Sequence, residues 1–143
     1  MRYVFVYGTL RAGEINDIGV AAARHAITAP RLIGCAAVTG RLYDFGEYPG
    51  LVRDETANLV RGDVYEIDDA LVPVLDQIEG VSPGVDSLFK SREVSVTVGG
   101  QILPCFFYPV DDASAQDRTR IDAGDWVGYR LARDAITALK YGS

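Results

Sequence analysis

A carboxylate at the end of a helix, where the backbone disfavours negative charge, is the first chemical signal in this chain. The segment Leu75-Asp76-Gln77-Ile78-Glu79-Gly80 reads as a final helical turn closed by glycine, with Glu79 as its last side chain. Unsatisfied carbonyls gather at a helix C-terminus, and the apolar neighbours Leu75 and Ile78 add a desolvation cost. Both effects push the carboxyl above its ordinary pKa of about 4.3, toward the range where it can take and return protons near neutrality. A solvated glutamate, disfavoured by roughly a few tenths of a kcal/mol, fits the same pattern. The second signal is Tyr7-Gly8-Thr9-Leu10-Arg11-Ala12-Gly13. Glycine permits backbone conformations that other residues avoid, so this turn can aim N–H groups at an anion or a carbonyl. It lacks the G-x-x-x-x-G-K and G-x-G-x-x-G phosphate loops, and an ordinary tight turn is the alternative.

Little else offers chemistry. Cys35 and Cys105 are 70 positions apart, and His25 is the single histidine. A zinc site needs several such ligands at close spacing, so no metal or other cofactor is expected. In a reducing compartment both cysteines read as small core residues. Residues 111–125 hold five aspartates and two arginines, which reads as a solvated loop without a catalytic role.

The elements that must carry these two signals follow from pattern. Residues 2–7 are β-branched and aromatic on both faces, which predicts a buried strand feeding directly into the Tyr7–Gly13 turn. A short helix is predicted over 17–27, capped by Asn16 or Asp17, with His25 at its surface. Residues 32–43 and 59–67 read as strands, with an aromatic loop over 45–50 between them. A helix over 69–79 places Leu71, Leu75 and Ile78 on one face, with Pro73 in the first turn and Gly80 just beyond the end. Residues 92–98 and 101–108 form a hairpin across Gly99-Gly100. Its register sets Val98 opposite Gln101, Val96 opposite Leu103 and Val94 opposite Cys105, with Phe106 on the face of Ser95 and Thr97. Strands dominate without alternating strictly with helices, so an α+β barrel or closed sheet is expected rather than a doubly wound parallel sheet.

Composition bounds the function classes. The chain has 143 residues, 14 Lys plus Arg against 20 Asp plus Glu, and a net charge of −6. One domain spanning 1–143 is expected from that length, with no repeat or linker. The acidic balance argues against a nucleic-acid partner. No apolar run is long enough for a membrane helix and residues 1–7 do not read as a secretory signal, so a cytoplasmic protein is expected.

Taken together, five segments resemble the gamma-glutamylcyclotransferase-like family. They are Val4-Phe5-Val6-Tyr7-Gly8-Thr9-Leu10-Arg11 with Gly13 and Asn16; Gly40-Arg41-Leu42-Tyr43-Asp44-Phe45-Gly46 with Tyr48-Pro49-Gly50-Leu51-Val52; Val60-Arg61-Gly62-Asp63-Val64-Tyr65; Leu75-Asp76-Gln77-Ile78-Glu79-Gly80; and Ile121-Asp122-Ala123-Gly124-Asp125-Trp126. The resemblance implies a small mixed β-barrel with flanking helices and a cavity formed at the mouth by residues 7–10. It further implies release of an amine or amino acid from a γ-glutamyl compound as 5-oxoproline. Glu79 would be the acid-base residue, and Tyr7, Gly8, Thr9 and Leu10 would bind the substrate. Such a reaction needs no Ser, Cys or metal, because the substrate's own α-amino group is the nucleophile. Phe89 stands where many relatives carry a tyrosine, which keeps the ring at the pocket and removes the hydroxyl. A non-catalytic protein that binds a small ligand is the alternative on the same fold.

Overall fold

The computed structural model describes residues 1–82 and 86–141. Its elements run β1 (Arg2–Val6), α1 (Ile18–Arg24), β2 (Arg31–Asp44), β3 (Pro49–Arg53) and β4 (Leu59–Ile67). A 3-10 turn over Asp69–Leu71 leads into α2 (Val72–Glu79), followed by β5 (Arg92–Val98), β6 (Gln101–Phe107), α3 (Asp112–Ala115), β7 (Thr119–Arg120) and α4 (Trp126–Tyr141). Among the described residues no helix is long and apolar enough to cross a membrane.

The sheet runs β3-β2-β4-β1-β6-β5, with β7 beside β2. β1 lies antiparallel to β4 and parallel to β6, so it is central, and Val4, Phe5 and Val6 are all buried. That explains its apolar character on both faces. The sheet curls until β2 approaches β5, and a Cβ on Gly34 would stand 3.0 Å from Val98 Cγ1. The result is a mixed α+β half-barrel with flanking helices.

Alternation along the strands sorts side chains into two apolar layers. Inside the curl lie Phe5, Val38, Leu42, Val64, Val96 and Cys105, with Trp126 at the start of α4. On the convex face Val4, Val6, Ile67 and Phe106 pack under Ile18 and Ala22 of α1 and Leu71 and Leu75 of the α2 segment. The two-residue turn at Gly99-Gly100 sets the predicted register, Val98↔Gln101, Val96↔Leu103 and Val94↔Cys105. Cys105 is buried as expected, and burial pushes its thiol up to about 11.

Four expectations need correction. Cys35 is exposed rather than in the core. Pairing between β2 and β4 shifts between Leu32 and Gly34, and beyond that shift Val38 and Leu42 point inward while Cys35 points out. Pro49–Arg53 is a strand, β3, hydrogen-bonded to β2, where the turn chemistry around Pro49 and Gly50 suggested only a loop. Residues 111–125 are not simply a solvated loop, because they contain α3 and β7 and bury Ala115 and Ile121. The pattern above also placed no helix after Trp126, whereas α4 runs for 16 residues.

Candidate active site

Glu79 ends α2 because the next residue turns the chain left-handed. Gly80 has φ 73°, and its N–H bonds back to the Asp76 and Gln77 carbonyls. One turn earlier, Asp76 Oδ1 accepts a 2.7 Å hydrogen bond from the Tyr108 hydroxyl, which fastens this end of the helix to the chain just beyond β6. Glu79 thereby lines a cavity of about 380 Å³ at one end of the sheet. Tyr7, Gly8, Thr9, Leu10 and Phe89 line the same cavity. The structure thus brings together every residue singled out for a site.

The cavity holds Glu79 in an unusual state. The side chain keeps partial exposure through the mouth, yet protein surrounds it closely enough that burial alone pushes the carboxyl up to about 7. Among the described residues it makes no hydrogen bond and no ion pair. Burial, rather than the helix terminus, causes this rise. No described Lys or Arg lines the cavity to offset it.

Opposite elements build the other wall. The turn after β1 is wound by hydrogen bonds from Arg11 N to Gly8 O at 3.1 Å, Asn16 N to Thr9 O at 3.0 Å and Ile18 N to Leu10 O at 3.0 Å. Carbonyls are consumed in that winding, and the Gly8, Thr9 and Leu10 amides make no hydrogen bond among the described residues. They remain available as donors to a ligand. Gly8 has no alternative here, because a Cβ would fall 2.6 Å from Pro49 Cγ. Asn16 Nδ2 donates to Thr9 Oγ1 at 3.1 Å, and Arg11 reaches Asp63 at 3.0 Å and Asp125 at 3.1 Å, so the turn is tied to β4 and to the residue before α4.

Tyr7 is fully engaged. Its hydroxyl donates to Tyr108 O at 2.7 Å and accepts from Leu51 N at 3.1 Å, so it bridges the chain after β6 to β3 and offers the cavity its ring. Burial raises the phenol far beyond its ordinary range, and the nearby Glu79 charge adds to this. Tyr108 is raised by burial first, then by its bond to Asp76 and by the charges of Asp76 and Glu79. Neither phenol is an acid at physiological pH. Phe89 packs edge-on against Tyr48, ring centres 5.6 Å apart, to form an apolar side of the cavity.

Tyr48, Tyr108 and Asn16 line the cavity too, and sequence reasoning gave none of them a site role. Asn16 was read as a possible cap and as part of the first family motif, and the cap proves to be Asp17, which accepts from Gly19 N and Val20 N. Tyr108 follows a strand whose alternation pointed to packing, and nothing local in the sequence shows that its hydroxyl meets Asp76. Among the described residues no group of three or more His, Cys, Asp or Glu is arranged to hold a metal ion.

Known proteins resemble this chain in sequence and in fold. A bacterial relative from Niallia circulans, gamma-L-glutamyl-butirosin B gamma-glutamyl cyclotransferase, is 34% identical over 136 residues, covering 92% of this chain and 79% of its own. The Rattus norvegicus protein gamma-glutamylaminecyclotransferase is 29% identical over 119 residues, 76% of this chain and 77% of that one. In three dimensions the crystal structure of YkqA from Bacillus subtilis superimposes with a TM-score of 0.69 at 25% identity, over 94% of this chain. This chain spans 42% of that one. The profile of the family described as gamma-glutamyl cyclotransferase, AIG2-like, matches residues 4–128, which takes in the turn after β1, Glu79 and the start of α4. The chain belongs to the gamma-glutamyl cyclotransferase, AIG2-like family.

Proposed function

We propose that the protein is a gamma-glutamyl cyclotransferase that converts a γ-glutamyl amide to 5-oxoproline and a free amine or amino acid, with Glu79 as general base and acid. The observation that carries this reading is the Glu79 carboxyl, held near pH 7 by burial and unpaired, in one cavity with the free Gly8, Thr9 and Leu10 amides. An acid-base group works best when its pKa lies near the working pH, and burial supplies that match here.

In this mechanism ionised Glu79 takes the α-ammonium proton as the α-nitrogen closes on the γ-carbonyl carbon. A carbon–nitrogen bond forms to make the lactam, and the bond from the γ-carbon to the departing nitrogen breaks. Glu79 returns a proton to that nitrogen. Over the whole reaction the α-nitrogen gives up two protons and the departing nitrogen gains two, so no outside acid or base is consumed. Folding the γ-glutamyl unit back on itself costs entropy, and the loop amides offset it by holding the unit and by donating to the developing oxyanion. Tyr7 and Phe89 bound the unit with their rings. The nucleophile belongs to the substrate, so the chemistry asks for no thiol, hydroxyl or metal from the protein.

Incubation with a panel of γ-glutamyl amines and γ-glutamyl amino acids, followed by mass spectrometry for 5-oxoproline, tests the reading. Product from the parent and its loss in Glu79→Gln is the expected result. Binding without product across the whole panel would replace the enzyme with a small-ligand-binding protein.

A further inference from the structure

The turn that lines the cavity carries a charge that its position cannot tolerate alone. The Glu14 side chain is 5% exposed, four residues after Leu10. Its carboxylate is met by the guanidinium of Arg130, with Nε to Oε1 at 2.9 Å and Nη2 to Oε2 at 2.8 Å. This is the two-pronged geometry that arginine makes with a carboxylate and lysine cannot. Arg130 stands on α4, 116 positions away in sequence and beyond residue 128, where the family match ends. Without that guanidinium the carboxylate loses both charge-assisted donors and must recruit water in their place, at the expense of the contacts that enclose it.

That chain is the wound turn itself. Glu14 N donates to Arg11 O at 3.1 Å, and Arg11 N donates to Gly8 O at 3.1 Å. Asp17 N donates to Glu14 O at 3.0 Å, and Ile18 N donates to Leu10 O at 3.0 Å. Displacing Glu14 therefore displaces the backbone that carries the unbonded Gly8, Thr9 and Leu10 amides at the cavity wall. Arg11 pairs with Asp63 and Asp125, so it anchors the turn at another point and does not neutralise Glu14.

We propose that Arg130 is a positioning residue: by pairing with the buried Glu14 carboxylate it holds the turn after β1 closed, with its three free amides directed into the cavity. This rests on the proposed cyclotransferase reading for its kinetic consequence, and on geometry alone for its structural one. Arg130 lies outside the part of the chain shared with the family profile and Glu14 inside it, so the pair ties α4 to the turn at the site.

The test uses the whole chain and compares the parent, Arg130→Gln, the doubly neutral Glu14→Gln/Arg130→Gln, and Arg31→Gln, which breaks an exposed ion pair with Glu66 elsewhere on the sheet. Amide hydrogen exchange over residues 8–17 is expected to rise about tenfold in Arg130→Gln and to return to the parent rate in the double variant, which leaves no buried charge to hydrate. The kcat for 5-oxoproline formation should fall about 10- to 100-fold in Arg130→Gln, with KM changed by less than about threefold, because the misplaced donors serve the transition state. In the double variant kcat should recover to within about threefold of the parent, and Arg31→Gln should match the parent throughout. A merely structural Arg130 would lower the melting temperature of both variants alike, and the double variant would show no recovery. Parent-like exchange in Arg130→Gln, or a double variant as impaired as the single one, overturns the proposal. If the parent forms no 5-oxoproline, the cyclotransferase reading fails, and exchange alone then decides whether Arg130 holds the turn.

Discussion

Two glutamates flank the cavity region, one at the end of α2 and one in the turn after β1, and they have opposite circumstances. The Glu14 side chain is 5% exposed, and a guanidinium grips both its oxygens. Glu79 keeps a path to solvent, yet among the described residues nothing donates to it, and its pKa rises to about 7. Enclosure alone therefore does not decide what a carboxyl does in this protein. The presence of a partner does: a paired acid braces a loop, and an unpaired one is left free to exchange its proton.

The largest effect that tests this contrast is on turnover. Glu79→Gln keeps the shape and loses the proton acceptor, so 5-oxoproline formation should fall by about 10² to 10⁴ while KM moves little. Full activity in this variant would put the two glutamates in the same category and end the contrast. Next comes the pH profile of the parent. A base must be ionised to act, so kcat/KM should rise with pH up to a limb near 7, and at pH 5 it should stand at about one hundredth of the plateau. A limb at the ordinary carboxylate value of about 4.3 would mean that the cavity does not perturb Glu79.

Stability should separate the two side chains by sign. Between the unfolded carboxyl pKa and about 7 the folded chain keeps a proton on Glu79 that the unfolded chain has lost. Stability therefore falls as pH rises through that window, and the cost is complete above it. Glu79→Gln removes the cost, so it should match the parent near pH 4 and exceed it by about 1–3 kcal/mol at pH 8, the lower end reflecting partial exposure. Glu14→Gln should behave in the opposite way at pH 8 and lose about 1–2 kcal/mol, since Arg130 is left without its main partner. Melting curves of both variants at the two pH values check this. The smallest effect is expected at Phe89, which packs on Tyr48 and borders the site without touching either glutamate's chemistry. Phe89→Tyr should leave kcat within about threefold of the parent and alter the ranking of amine leaving groups.

Local chemistry determined how much could be foreseen. Alternation of Val94, Val96 and Val98 against Ser95 and Thr97, with Gly99-Gly100 between the strands, specified the hairpin down to its register. Glycine after Glu79 marked the helix end, and the left-handed Gly80 is the physical reason. The α4 helix left a faint pattern: Leu131, Ile136 and Leu139 are exposed, so it buries no clean apolar stripe, and only Asp125 ahead of a Gly-free run over 129–141 hinted at it. Cys35 was misjudged because a residue type was taken for a position, and a register shift in β2 reversed the face. Contacts such as Glu14 to Arg130 or Tyr7 to Tyr108 join residues more than a hundred positions apart, and no local spacing encodes them.

The pairing of β1 with β6 has a consequence for how the molecule comes into being. β1 is made well before one of its two neighbours, which it meets in parallel at Tyr3↔Cys105 and Val4↔Phe106, about one hundred positions later in the chain. Joining them closes a loop of about one hundred residues, an entropic cost that has to be met before the contact returns anything. The bond from the Tyr7 hydroxyl to Tyr108 O spans 101 positions and belongs to the same late event. A nascent chain can thus form the β2–β4 pairing early, while the cavity walls come together only when β6 slots in beside β1. A chain in which β6 has not yet paired with β1 therefore lacks the wall that Tyr108 supplies to the cavity around Glu79.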